Sequence, residues 1–343
     1  MEQDVIKPHR DYGILGPDSV TWRVFGFATA MSIGFQRTVV SEMFEPFLMA
    51  SVADTNAVMS RPALRYDRTL QYVSTIAFHD SQTAVASADV LLKIHSRIRG
   101  KEPLSGLEYD ANHPDSQLWI HLTQWHSVLH AYEKFGPGPL SDEEDRRYWA
   151  ECKLASEFQT IDPKSVPKSR QEMREYYARM RPHMAATEVT QTTVAHLLAA
   201  RHFSTLVPWY IKPIAATATL LFRRATIATL PRWLRQLGGI RQSRLQDSVI
   251  TAITRLVFRV ALRSPQSQLT LLKMVSPQTY PVVAPAFLDR KPEILETVSP
   301  AEAWKRAGKI KPREQYLQQC QSRPEAGGKA PKDTGEKDLL KFG

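Results

Sequence analysis

Along most of the chain apolar residues recur every three or four positions, the spacing that lays one stripe along a helix. Gly16-Pro17-Asp18 opens the first such segment, with Pro17 and Asp18 expected in the first turn of an apolar helix that continues to about Pro46. Leu64, Leu70, Val73 and Ala77 predict a second helix over 63–78. Asp80-Ser81 can cap a third, whose stripe is Ala84, Ala88, Leu91, Leu92, His95 and Ile98 and which Gly100 ends. A strongly apolar helix over 115–135 stops at Gly136-Pro137, and Ser141 with Glu144 forms a capping box for a helix through Trp149 to Phe158. Further helices are predicted over 169–181, 186–203, 211–229, 231–238 and 244–262, and no segment alternates strongly enough to predict a strand. The expected fold is all-α: one large helical bundle over 16–262 after a leader at 1–15, a proline-spaced, irregular C-terminal extension over 263–317, and a disordered tail over 318–343.

Composition narrows this picture little. With 43% hydrophobic and 23% charged residues the chain is an ordinary soluble globular protein, and 15 glycines against 23 prolines argue against a glycine-rich sheet. Arginine and lysine outnumber acids 45 to 35, which suits an anionic membrane surface, anionic groups inside a pocket, or simply a solvated basic surface. There is no C-x-x-C, zinc-finger spacing, aromatic-glycine RNA-binding segment or arginine-lysine block, so nucleic acid is not an expected partner. Cys152 and Cys320 lie far apart and the N-terminus lacks a secretory pattern, so reducing cytoplasm is the expected compartment. Arg37, Glu42 and Glu45 interrupt the apolar run at 24–50, and Pro208, Lys212 and Pro213 that at 203–222; neither can span a bilayer. The segment Val207 to Ile211, with Trp209 and Tyr210 beside Lys212, fits either a one-sided membrane contact or core burial.

Chemistry enters with RYDRTLQY at 65–72, where Arg65, Arg68, Thr69 and Tyr72 share one helix face. The stripe is either solvated and paired with acids such as Asp67 or Asp89, or turned toward an internal anion that planar guanidinium groups can grip. His95 sits on the apolar stripe of the following helix, four residues before Arg99; it is either a satisfied core histidine or an axial ligand to haem iron. His121, His126 and His130 share the next helix, and the last two have metal-pair spacing without an evident third ligand. The motifs of serine hydrolases, nucleotide-binding loops and di-iron bundles are missing.

Six segments in order resemble one family, the haem-dependent oxygenases that include MpaB and the latex-clearing protein, a rubber oxygenase. They are GPDSVTWRV at 16–24, RYDRTLQYVST at 65–75, KIHSRIRG at 93–100, WIHLTQ at 119–124, LSDEEDRRYWAE at 140–151 and TLPRWLRQLGG at 229–239. The resemblance implies an all-helical bundle around haem b, with His95 as the proximal iron ligand. It places Arg65, Arg68 and Thr69 on the distal side, and gives Arg99 and His121 supporting positions at the cofactor. Arg68 stands where latex-clearing proteins carry a lysine; a guanidinium stays protonated and does not ligate, so an open distal iron is implied. Phe44-Glu45-Pro46 stands where relatives commonly read leucine-histidine-proline. The implied activity is that of a haem b oxidoreductase, an oxygenase joining dioxygen to a small hydrophobic substrate, with any electron donor undefined. A non-catalytic haem carrier or sensor, and a cofactor-free helical protein on a membrane surface, are the alternatives.

Overall fold

The computed structural model describes residues 6–200 and 209–322. Within them run α1 (Val20–Phe25), α2 (Phe35–Glu42), α3 (Pro46–Thr55), α4 (Ala57–Ser60), α5 (Pro62–Phe78), α6 (Ser81–His95), α7 (Pro114–Phe135) and α8 (Asp142–Ser156). Then come α9 (Arg170–Met180), α10 (Glu188–Ala199), α11 (Lys212–Thr229), α12 (Arg232–Leu237) and α13 (Arg244–Ala261). α14 (Pro265–Val275), α15 (Tyr280–Phe287), α16 (Pro300–Arg306) and α17 (Pro312–Gln321) complete the set. The only sheet among the described residues is an antiparallel pair, β1 (Arg99–Lys101) with β2 (Glu108–Asp110), in which Arg99 faces Asp110. The fold is all-α.

α7 is the axis. Its apolar residues occur nearly all round, so it is buried by neighbours on several sides rather than along one stripe. Leu122, Trp125, Val128 and Leu129 share one core with Phe25, Phe35, Phe44, Trp149 and Phe158. Each such side chain contributes roughly 1.5–3 kcal/mol relative to exposure. Close approach of α2 to α7 requires Gly34: a Cβ there would lie 2.8 Å from the Val128 Cα. The expected single helix up to Pro46 is in fact broken. Ser19 caps α1, which starts at Val20, so Pro17 and Asp18 lie ahead of the helix. Gly26 ends α1, a π-turn over Ala30–Gly34 fits the chain against α7, and Pro46 starts α3 rather than ending its predecessor.

Local signals were followed more closely elsewhere. Asp80 accepts from Thr83 N at 2.8 Å to open α6, the Ser141–Glu144 capping box opens α8, and Gly136 ends α7. The stripe expected to carry α6 to Gly100 stops at His95; Arg99 and Gly100 lie in β1, so Arg99 does not share the helix of His95.

The stretch 263–317 is not irregular. It contains α14 to α17, each with a proline in its first turn, where the missing N–H would have had no partner anyway. These helices brace the elements around His95. Asp67 of α5 accepts from Gln278 N at 2.9 Å and Thr279 Oγ1 at 2.8 Å, and Lys309 meets Asp89 of α6 at 2.9 Å. The expected tail begins inside α17, and 323–343 lie outside the described residues. So do 1–5 of the expected leader; in the rest, Asp11 accepts from Ser81 N and Oγ at 2.8 and 2.6 Å, tying the N-terminal segment to the start of α6.

Candidate functional site

His95 closes α6, and its ring meets α7. Gln117, buried on α7, donates from Nε2 to the Ala111 carbonyl at 2.6 Å, and the same nitrogen faces His95 Nδ1 at 3.0 Å. With the amide oriented by Ala111, Nδ1 accepts and the proton of the neutral ring sits on Nε2. No described residue hydrogen-bonds Nε2. Desolvation, and then the charge of Arg65, pull the imidazole pKa from 6.5 down to about 3, so the ring is neutral at physiological pH.

Arg65 also acts on Glu42, at the end of α2. Glu42 is buried, its Oε1 has no hydrogen-bond partner among the described residues, and desolvation raises its pKa to about 8 against the opposing pull of Arg65. Arg65 thus couples electrostatically to an imidazole on α6 and a carboxyl on α2. Further polar atoms without a hydrogen-bond partner among the described residues are buried on the same two walls: Ser41 Oγ on α2 and Trp119 Nε1 on α7. Tyr177 of α9 bridges them, its ring centroid 5.8 Å from Trp119 and 5.0 Å from His126. Arg37 continues the polar seam, with Nη1 2.5 Å from Ser127 Oγ and 3.2 Å from His126 Nδ1, and Nε donating to the Thr229 carbonyl at 3.1 Å. An interior this polar, with several donors and acceptors unsatisfied, is costly unless something polar or ionic is bound there.

The remaining sequence-predicted residues are dispersed. On α5, Arg68 and Thr69 are partly buried; the Thr69 hydroxyl donates to the Arg65 carbonyl of its own helix at 2.9 Å. Tyr72 donates to the Phe158 carbonyl at 3.1 Å and lines a cavity of about 20 Å³ with His121, Gln124 and Gln159. His121 donates from Nε2 to the Cys152 carbonyl at 2.9 Å, and burial lowers its pKa to about 4. That is the geometry of a packed histidine. Arg99 forms an ion pair with Asp110, 3.1 Å away, across the β-hairpin.

His126 and His130 stack with centroids 6.1 Å apart, beside a cavity of about 200 Å³ bounded by Glu133, Trp149, Arg170 and Arg174. No group of three histidine, cysteine or acidic residues able to hold a metal ion occurs among the described residues. Glu45 has a structural use: its two carboxylate oxygens accept from Phe47 N and Leu48 N at 3.2 and 2.7 Å, capping α3. No helix among the described residues is long and apolar enough to cross a membrane.

Glu42, Gln117, Tyr177 and Arg37 were not among the predicted site residues. The signal for two of them was present: Arg37 and Glu42 interrupt an otherwise apolar run, and both turn out to be buried. Gln117 carries no such mark.

Comparison with known proteins adds one result. A family model described as ER-bound oxygenase mpaB/B'/Rubber oxygenase, catalytic domain, matches residues 22–262. No curated protein and no solved structure searched gives a match. The matched span runs from within α1 to the end of α13 and includes His95, Arg65 and Glu42; the chain belongs to the MpaB and rubber-oxygenase catalytic-domain family.

Proposed function

We propose that this protein is a haem b-dependent oxygenase acting on a small hydrophobic substrate, with His95 as the iron ligand. One observation carries the proposal: a half-buried, neutral imidazole engaged at Nδ1 by Gln117, with no hydrogen bond to Nε2 from a described residue, near the buried polar atoms of α2 and α7. The residues fit the group. Haem iron already has four porphyrin nitrogens, so one protein imidazole suffices, and two propionates would suit arginines. Arg65, Arg68 and Thr69 are proposed to line the opposite side of the cofactor, with Arg99 and His121 at its periphery.

When bound, haem supplies the iron at which dioxygen is activated. The chain's own residues do the rest. For Nε2 to ligate, its proton moves to Nδ1, and the Gln117 amide turns its oxygen toward the ring to accept it. Arg68 would offer a planar guanidinium as hydrogen-bond donor there, a group that does not ligate iron. Glu42, with a carboxyl that titrates at about 8, holds or releases a proton near neutral pH beside Arg65. The apolar core around α1, α2 and α7 provides the walls from which water is excluded.

An absorbance spectrum of the purified protein with haem supplied tests this directly. A Soret band is expected, and His95→Ala removes or strongly shifts it; an unshifted band would assign the ligand elsewhere, and no band at all would reject the cofactor. Substrate-dependent oxygen uptake with apolar candidates then separates an oxygenase from a haem carrier.

A further inference from the structure

α13 is the most strongly amphipathic of the described helices, and much of its apolar surface is exposed. On one side, Thr254 is buried, and Ile250 and Phe258 pack with Phe222 against a small cluster of Ile33, Ala131, Phe135 and Ala225. On the other, Leu245, Val249, Ile253, Leu256 and Val260 form a continuous stripe at helical spacing, with Leu245 75% and Val260 71% exposed. α13 runs back along α11, to which Gln242 anchors its start through the Arg224 carbonyl at 3.0 Å. At the opposite end of α11 stand Trp209, 79% exposed, Tyr210, and Ile214, 70% exposed. Isolated apolar side chains on a surface need no explanation, whereas a stripe of this extent marks a binding face.

Charge identifies the partner. Residues 209–275 hold eleven arginines and lysines and a single acid, Asp247, so this stretch accounts for the whole net charge of +10 and the rest of the chain is balanced. Asp247 is itself neutralised by Arg235 at 2.9 Å. Arg244, Arg259 and Arg263 are exposed beside the apolar stripe, as are Lys212 and Arg223 on α11. A second copy of the chain packed on this face would bring the same cations with it, and nothing in the patch would offset them. An anionic bilayer offers the complement to both features: acyl chains for the stripe, headgroups for the arginines, and an interfacial depth suited to Trp209 and Tyr210.

We propose that α13, together with the Trp209–Ile214 end of α11, is a membrane-docking surface that lies in the headgroup region of an anionic bilayer without crossing it. This is independent of haem: it concerns an outer face remote in the chain from His95, and a protein that fails to bind haem tests it equally well. For a hydrophobic substrate, the consequence is delivery from the lipid phase.

Co-sedimentation of the full-length protein with vesicles decides it, using phosphatidylcholine alone and an equimolar phosphatidylcholine–phosphatidylserine mixture. Binding to the anionic vesicles is expected, weakened by salt, with little binding to the neutral ones. Replacing Arg244, Arg259 and Arg263 together by glutamine lowers the partition coefficient on the order of a hundredfold, since each surface arginine contributes about fivefold. The triple variant Val249→Ser, Leu256→Ser, Val260→Ser loses binding as well, and its thermal unfolding stays at the wild-type temperature because those residues are exposed. Failure of the wild type to bind anionic vesicles overturns the proposal, as does binding that neither variant weakens. Hydrogen exchange of lipid-free protein adds a second check: α13 is expected to exchange as an uncovered helix. Protection that rises with protein concentration would assign the face to a second copy, and concentration-independent protection to another segment of the chain; either result overturns membrane docking.

Discussion

Glu42 gives the sharpest quantitative test of the polar interior between α2, α6 and α7. Its carboxyl titrates near 4.5 in an unfolded chain and at about 8 in the folded one, because burial disfavours the anion more than Arg65 favours it. Between those values the native state holds a proton that the unfolded state has lost, so stability falls as pH rises. At 1.36 kcal/mol per pH unit, the interval from 4.5 to about 8 amounts to about 5 kcal/mol. The contribution is fully present below pH 4.5 and fully lost above about 8. Glu42→Gln keeps the shape and removes the titration. Urea unfolding of the haem-free protein, at pH values spaced from about 5 to about 8.5, is the assay. Other groups titrate in the same range, so the informative quantity is the difference between the two proteins. The variant should match the wild type at the acid end and gain on it steadily, by several kcal/mol at the alkaline end. Parallel curves would mean that the Glu42 carboxyl is not held in a desolvated site. A variant that loses ground with rising pH would mean that the anion, not the acid, is the native form.

Four further outcomes follow from single contacts. Gly34→Ala places a Cβ 2.8 Å from the Val128 backbone and should cost about 1–3 kcal/mol, read as a lowered urea midpoint. His121 is neutral in the fold with a pKa of about 4; its share of stability, roughly 3 kcal/mol, is lost as pH falls from 6.5 through that value, and His121→Gln should flatten acid unfolding across the same window. Arg170 pairs with Glu133 at 2.5 Å and Asp145 at 2.6 Å, so Arg170→Met leaves two part-buried carboxylates facing each other and should lower stability by about 2 kcal/mol, an effect that shrinks on acidification. On the proposed haem site, Gln117→Glu would supply a carboxylate acceptor for a proton on His95 Nδ1 and should lower the iron reduction potential, measured by spectroelectrochemistry; an unchanged potential would separate Gln117 from the proposed ligand.

What could be read from the sequence was governed by the range of the interaction. Caps are local, so Asp80, Gly136 and the Ser141–Glu144 box could be assigned from neighbouring residues alone. Helix periodicity is nearly as local. The break between α1 and α2 was hidden because it is set by how closely Gly34 approaches Val128, and residues 94 positions apart leave no joint mark on the chain. Pro265, Pro281, Pro300 and Pro312 misled for a different reason: proline stops a helix from within yet opens one from its first turn, and spacing alone does not say which. The β-hairpin failed a length test, since strands of three residues show no alternation to detect.

At the site the same division holds, with one informative exception. RYDRTLQY displayed its polar stripe openly, but Arg65 acquires its meaning only from His95 and Glu42, which approach it from other helices. Gln117 is chemically ordinary; its effect on the His95 tautomer depends on the Ala111 carbonyl orienting its amide, a relation visible only in three dimensions. Arg37 and Glu42 are the exception. A charge inside an apolar run is expensive to bury, so it either turns outward or is held for a purpose. In the sequence those two interrupt the apolar run and keep it from spanning a bilayer. Both are buried, and one has a carboxyl oxygen with no partner among the described residues. The charge surplus of 209–275 is equally legible, but a total of +10 conceals that one segment carries all of it. In both cases the position of the charge along the chain held the information that the overall composition averaged away.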